Sequence, residues 1–170
     1  MKFTRSHLID LFVYGALAAL AVLFISRKLS GPSEGVRAAP IDLPLVGAVD
    51  GERFRLEEKR GRPVLIEVFA GWCGACRRSA PTVVDAWKQH QGKQVSFLGV
   101  SVDHSADDAL RVKRDWGIPY DVVLDDGTVS KQYNIEVLPT FILVSGDGVV
   151  RKVATGVPSQ EDISDWLEKL

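Results

Sequence analysis

Apolar residues along this chain fall into short unbroken runs separated by stretches in which they recur at helical spacing. The run Val64–Phe69, VLIEVF, has one polar residue in six and predicts a strand buried on both faces of a sheet. Val95–Val102 and Thr140–Val144 predict two more buried strands, and Val122–Leu124 a shorter one between them. A turn at Asp147-Gly148 leads into a further strand, Val149–Ala154. Helical spacing covers Ala75 to about Gln89, with Val83, Val84 and Trp87 inward and Pro81 as an expected kink. Ser105-Ala-Asp-Asp108 opens a second helix that closes near Trp116-Gly117, and Thr128–Tyr133 predicts a short third. Ser159-Gln-Glu-Asp162 has the form of a capping box for an amphipathic helix through Leu170. Near the start, Asp50-Gly51 between the apolar alternations of Leu45–Leu56 signals a hairpin. Strands alternating with helices predict an α/β fold, its sheet parallel at the centre, finished by a hairpin and covered by helices on both faces.

One run is of another kind. Leu11–Ile25, LFVYGALAALAVLFI, is uncharged and apolar on every side, and with Leu8 and Ile9 it reaches about 18 residues, enough to span a bilayer. A cleaved signal peptide would need small residues soon after the run, but Arg27 and Lys28 stand there, and Val36-Arg-Ala38 ends 13 positions past Ile25. The expectation is an uncleaved signal-anchor in residues 1–29. SGPSEGVRAAP, residues 30–40, then reads as a linker, and residues 41–170 as the folded domain. Lys2 and Arg5 before the span against Arg27, Lys28 and Arg37 after it leave the charge rule for orientation near balance.

The 170 residues are 46% hydrophobic, with 21 basic against 22 acidic side chains. That is a chain able to bury a core, with no electrostatic footprint for nucleic acid.

The candidate chemistry lies in FAGWCGACRRSAP, Phe69–Pro81, which holds both cysteines of the chain, Cys73 and Cys76. Residues three apart at a helix start share one side, close enough for a disulfide, and the helix N-terminus favours an anion on the first sulfur. On that basis Cys73 is the exposed nucleophile and Cys76 the buried resolving thiol, with Gly74 freeing the turn and Ala75 sparing it a proline's rigidity. Two other uses of the pair compete. A structural disulfide closing so short a loop stabilises weakly. A zinc site usually takes four ligands, and His7, His90 and His104 show no ligand spacing with the pair. Glu67 is the one charged residue in a strand that otherwise reads as fully buried; desolvation there raises a carboxyl's pKa, unless the side chain reaches solvent past the sheet edge. Trp87, Trp116 and Trp166 fall at apolar helical positions and read as packing residues, and Asp125-Asp126 as a solvated turn.

The run Val64–Pro81, with Trp72 before the first cysteine and Pro81 five after the second, resembles the active-site strand and helix of the thioredoxin superfamily. Tyr133–Leu143, YNIEVLPTFIL, resembles the superfamily's second signature. With the apolar N-terminal run, the leading hairpin and the Ser105–Leu124 segment, the chain is similar to the membrane-tethered TlpA/ResA/CcmG type over about Ile41–Leu170. The resemblance implies a thioredoxin-like fold with a central mixed sheet, an N-terminal hairpin and a central helix-strand insertion. It implies that Pro139 is a cis-proline facing the cysteines, that Leu138 and Pro139 offer backbone to a partner's extended segment, and that Trp72 packs over the disulfide and shapes the docking surface. Glu67 matches the family's buried acid six residues before the first cysteine, which implies proton exchange with Cys76. Ser79 stands where ResA-type proteins carry an acid, Ala75 where they carry a proline or bulky residue, and the CcmG-type insert before the cis-proline is missing.

The implied activity is protein disulfide reduction on the extracytoplasmic side of a bacterial cytoplasmic membrane, with electrons from an upstream dithiol such as a transmembrane thiol relay. Cytochrome c maturation, oxidase assembly and protection of periplasmic thiols are the implied roles, and neither an organic cofactor nor a metal is required. Two alternatives stand beside it on the same fold: a copper-handling or assembly chaperone using Cys73 and Cys76 as soft ligands, and a thiol oxidant.

Overall fold

The computed structural model describes residues 13–21, 33–49, 51–91 and 95–170. The chain forms two units, Met1–Gly31 and Pro32–Leu170. In the first, residues 13–21 are helical with every side chain exposed. The rest of the Leu11–Ile25 stretch lies outside the described residues, among which no helix is long and apolar enough to cross a membrane.

The second unit is built on a five-stranded sheet of order β5-β4-β3-β6-β7, made of β3 (Val64–Phe69), β4 (Ser96–Ser101), β5 (Asp121–Leu124), β6 (Thr140–Val144) and β7 (Val150–Thr155). β3 takes the centre because all six of its residues are buried. It pairs parallel with β4, which pairs parallel with β5, while β6 and β7 run antiparallel, so the sheet is mixed as expected. The helices are α1 (Gly74–His90), α2 (Ala106–Asp115), α3 (Thr128–Gln132) and α4 (Gln160–Glu168). The β3-α1-β4 and β4-α2-β5 crossovers step the same way across the sheet, and crossovers of one hand then put both helices on one face. That face carries a core of Leu65, Phe69, Phe97 and Phe141 against Val83, Ala109 and Ile163 of α1, α2 and α4. The other face packs Ile66, Val68, Leu98 and Ile142 against Val129 of α3 and Phe54 of the N-terminal hairpin. Trp116 and Trp166 stack near Phe69 and Phe141, 5.7 and 6.1 Å between ring centres, as packing residues should.

Two local expectations change. The hairpin pairs β1 (Asp42–Pro44) with β2 (Arg53–Arg55), earlier than the Leu45 start predicted, and its loop is longer than a two-residue turn. The reason is competition: the Val46 N–H donates to the Val122 carbonyl at 2.8 Å, and Leu45 bridges to Val123, so these residues cap the outer edge of β5. The 30–40 segment, expected as a linker, pairs with β7 from residue 35 onward. Gly35 donates to the Val150 carbonyl and Val150 to that of Val36, both at 2.8 Å. One N-terminal stretch thus covers both sheet edges, removing two templates for aggregation. Pro81 lies inside α1 without ending it.

Candidate active site

β3 ends at Phe69, and the loop Ala70-Gly71-Trp72 delivers Cys73 to the start of α1. Cys73 is the N-cap residue: its sulfur accepts the Cys76 N–H at 3.1 Å, the contact that caps a helix and that stabilises a thiolate when the pair is reduced. The two cysteines form a disulfide, with Cα atoms 5.3 Å apart. Cys73 is 8% exposed and Cys76 0%. Their order of accessibility is the expected one, but Cys73 shows only an edge to solvent.

Gly74 does not serve as expected. Its φ is not positive, and an added Cβ would meet only the Arg78 guanidinium at 3.7 Å. The glycine the loop requires is Gly71, where a Cβ would lie 2.5 Å from Val112 Cγ2 of α2. The Gly71 N–H is held between both carboxylate oxygens of Asp103, each at 3.0 Å. Asp103 follows β4 and is itself fixed by the Ser101 hydroxyl, which donates to Oδ2 at 2.8 Å and accepts the Asp103 N–H at 3.1 Å. Neither Gly71 nor Asp103 emerged from the sequence; an acid two residues past a strand has no distinctive pattern.

Glu67 is 3% exposed, so it does not reach solvent. Its Oε2 accepts from the Tyr120 hydroxyl at 3.1 Å and its Oε1 lies 3.2 Å from the Ser79 hydroxyl. Burial raises its pKa to about 7 against the pull of those two hydroxyls, which favour the charged form. Ser79 Oγ is also 2.9 Å from the Cys76 carbonyl, which ties the carboxyl to the turn bearing the resolving cysteine. Tyr120, desolvated beside Glu67, has a pKa well above the usual tyrosine value and stays neutral.

The Leu138–Pro139 bond is cis. Register places it: Val68 pairs with Thr140, so Pro139 falls level with Phe69, the last residue of β3, where the cysteine loop begins. Leu138 packs against the core cluster that contains Cys73 and Cys76. Thr140 Oγ1 donates to the Val137 carbonyl and Gly156 to that of Pro139. Trp72, expected over the disulfide, is 66% exposed. With Gly71, Arg77, Pro81 and Trp116 it lines a groove of about 670 Å³ between the first half of α1 and the length of α2. Ala75 packs against the core cluster beside the cysteines. Asp125 is not a solvated turn: its carboxylate accepts from the Val129 and Ser130 N–H groups and caps α3. Among the described residues no group of three His, Cys, Asp or Glu could hold a metal ion; His7 lies outside them.

Residues 35–153 match the model of the AhpC/TSA family. The chain belongs to the AhpC/TSA family. The part of it that matches begins where the N-terminal stretch docks on β7 and contains Glu67, both cysteines, Asp103 and Pro139. Among relatives of this AhpC/TSA chain is the thiol-disulfide oxidoreductase ResA of Bacillus subtilis (strain 168), 29% identical over 119 residues, covering 69% of this chain and 66% of the relative. ResA of Geobacillus thermodenitrificans is 28% identical over 123 residues, 72% and 71% of the two chains. The fold is that of the thioredoxin domain of a thiol-disulfide oxidoreductase from Bacteroides vulgatus, with a TM-score of 0.70 at 23% identity over 81% of this chain and 96% of that one. The thioredoxin-like fold expected from the two motifs, and the ResA likeness expected from the chain around them, are both borne out.

Proposed function

We propose that this chain is a membrane-tethered protein thiol-disulfide oxidoreductase that reduces disulfides of extracytoplasmic proteins. The observation that carries this is the pairing of unequal sulfurs: Cys73 at the helix cap with an edge in solvent, Cys76 sealed beneath it on the turn that Ser79 joins to Glu67. In the reduced protein the Cys73 thiolate attacks one sulfur of a partner disulfide, and the other partner sulfur leaves as a thiolate. Cys76 then gives its proton to the ionised Glu67 carboxylate, attacks Cys73 and closes the intramolecular disulfide while the partner's second thiolate departs. The partner gains two electrons and, from solvent, two protons; Glu67 returns its proton to solvent. An upstream dithiol restores Cys73 and Cys76.

The reductive direction is supported by the residues between the sulfurs. Gly74 and Ala75 place no cationic or hydrogen-bonding side chain there, so the reduced form lacks the extra stabilisation that makes a strong oxidant. Tethering is supported by the uncharged stretch Leu11–Ile25, of which 13–21 are helical and exposed. Trp72, Val137 and Val157 stand exposed on three different loops and, with Leu138, offer an apolar surface to partner proteins. ResA-like roles in cytochrome c biogenesis belong to the same proposal.

The test uses the Cys76→Ser protein with insulin as disulfide substrate. A mixed disulfide should accumulate through Cys73, while the native chain turns over with a dithiol donor. A Cys76→Ser protein that forms no adduct, or that reduces insulin as well as the native chain, would refute the assignment. Protection of the domain from added protease in intact spheroplasts would refute the extracytoplasmic location.

A further inference from the structure

Ser79 has a single hydroxyl hydrogen and two acceptors for it, Glu67 Oε1 at 3.2 Å and the Cys76 carbonyl at 2.9 Å, and it is wholly buried. A hydroxyl can donate to only one of them at a time. When Glu67 is ionised, the hydrogen belongs on the carboxylate. When Glu67 is protonated, its own O–H donates to Ser79 Oγ and the serine hydrogen turns to the Cys76 carbonyl. Either state leaves every polar atom paired, which a buried site requires. Tyr120 is the complementary element. Its hydroxyl reaches Glu67 Oε2 from the residue before β5, 53 positions along the chain, within the central helix-strand segment.

We propose that Ser79 and Tyr120 are positioning residues that together set the pH at which Glu67 exchanges its proton, Ser79 as a two-position donor and Tyr120 as a fixed one. The surroundings leave these two hydroxyls in control. The register neighbours of Glu67 are Gly99 on β4 and Phe141 on β6. α1 contributes Ser79 and the turn of Cys76, and the one other titratable group facing the carboxyl is Tyr120; among the described residues no charged side chain acts on it. On α1, where the resemblance to ResA-type proteins implies an acid, this chain has the Ser79 hydroxyl, which serves the acid on β3.

The proposal rests on the reading of Glu67 as proton acceptor for Cys76, and the two fail separately. The protonation of Glu67 is followed by infrared titration of its carboxyl band in the full-length oxidised protein, with Glu67→Gln identifying the band. Removing one hydroxyl without adding volume, by Tyr120→Phe or Ser79→Ala, should raise the midpoint by about one pH unit, a tenfold gain in proton affinity. Ser79→Thr, which keeps the hydroxyl, should restore the native value. Midpoints unchanged or lowered in both deletion variants would overturn the proposal. If the midpoints rise but the pH profile of insulin reduction does not follow them, the inference about Ser79 and Tyr120 stands and the proton-acceptor reading of Glu67 falls.

Discussion

Two carboxyl groups flank the cysteine loop, Glu67 on β3 and Asp103 just past β4, and each is touched by a serine. Their duties differ because their donors differ. Asp103 is partly exposed and grips a backbone N–H with both oxygens, so its charge is spent on geometry: it holds Gly71, and through Gly71 the approach to Trp72 and Cys73. Glu67 has no backbone donor, only two hydroxyls in an apolar surround, and burial lifts its pKa to about 7, where a proton can come and go. The same functional group becomes a fastener or a proton carrier according to which N–H and O–H groups surround it.

The sharpest way to break this contrast is Glu67→Gln. Above pH 7, where the native carboxyl is ionised and able to accept, the variant's rate of disulfide reduction should fall by about 10²-fold. Below pH 7 the native carboxyl is already protonated, so the two rates should converge. A ratio independent of pH would remove Glu67 from proton transfer. Stability should show the same group with the opposite slope. The folded-state pKa of about 7 lies above the ordinary glutamate value of 4.5, so the contribution is full below about 4.5 and lost as pH rises to about 7. The loss is on the order of 3 kcal/mol. Denaturant titrations from pH 4 to 8 should find that decline in the native chain and not in Glu67→Gln.

The geometric side of the comparison predicts smaller effects without a pH signature. Gly71→Ala drives a Cβ into Val112 and should cost about 1–3 kcal/mol. The Gly71→Ala/Val112→Ala double variant should lose less than the sum of the two single losses in a urea-midpoint measurement. Asp103→Ala strands the Gly71 N–H and should cost about 1–3 kcal/mol. It should slow insulin reduction equally at every pH, with Asp103→Asn closer to native; a shifted pH optimum would erase the distinction from Glu67. Asp125→Ala, which removes the α3 cap and no hydrogen bond to either carboxyl, should cost about 1 kcal/mol in stability and leave the redox rate unchanged.

Much of this site was legible in the sequence because its signals are local. Cys73, Cys76 and Trp72 lie in one short run, Glu67 stands out as a charge within a buried strand, and Leu138-Pro139 opens another such strand. The capping box at Ser159 and Asp162 is likewise local, and forms in both directions. What was missed depends on contacts between distant residues. Tyr120 meets Glu67 across 53 positions, Asp103 meets Gly71 across 32, and residues 35–38 find β7 more than a hundred positions away. No periodicity marks such pairings. The hairpin was misplaced for a related reason: Asp50-Gly51 is a sound turn signal and Leu45 still donates to the Glu52 carbonyl, but the next residue, Val46, gives its N–H to Val122 of β5 instead. Asp125 was taken for a solvated turn because its role appears only once α3 starts immediately behind it.

The central claim is that Cys73 and Cys76 form a reducing couple. Its most direct test is the equilibrium potential of that couple against glutathione at pH 7. A value in the reducing range, below about −200 mV, is predicted. A value near that of the strong oxidants, about −120 mV, would contradict it.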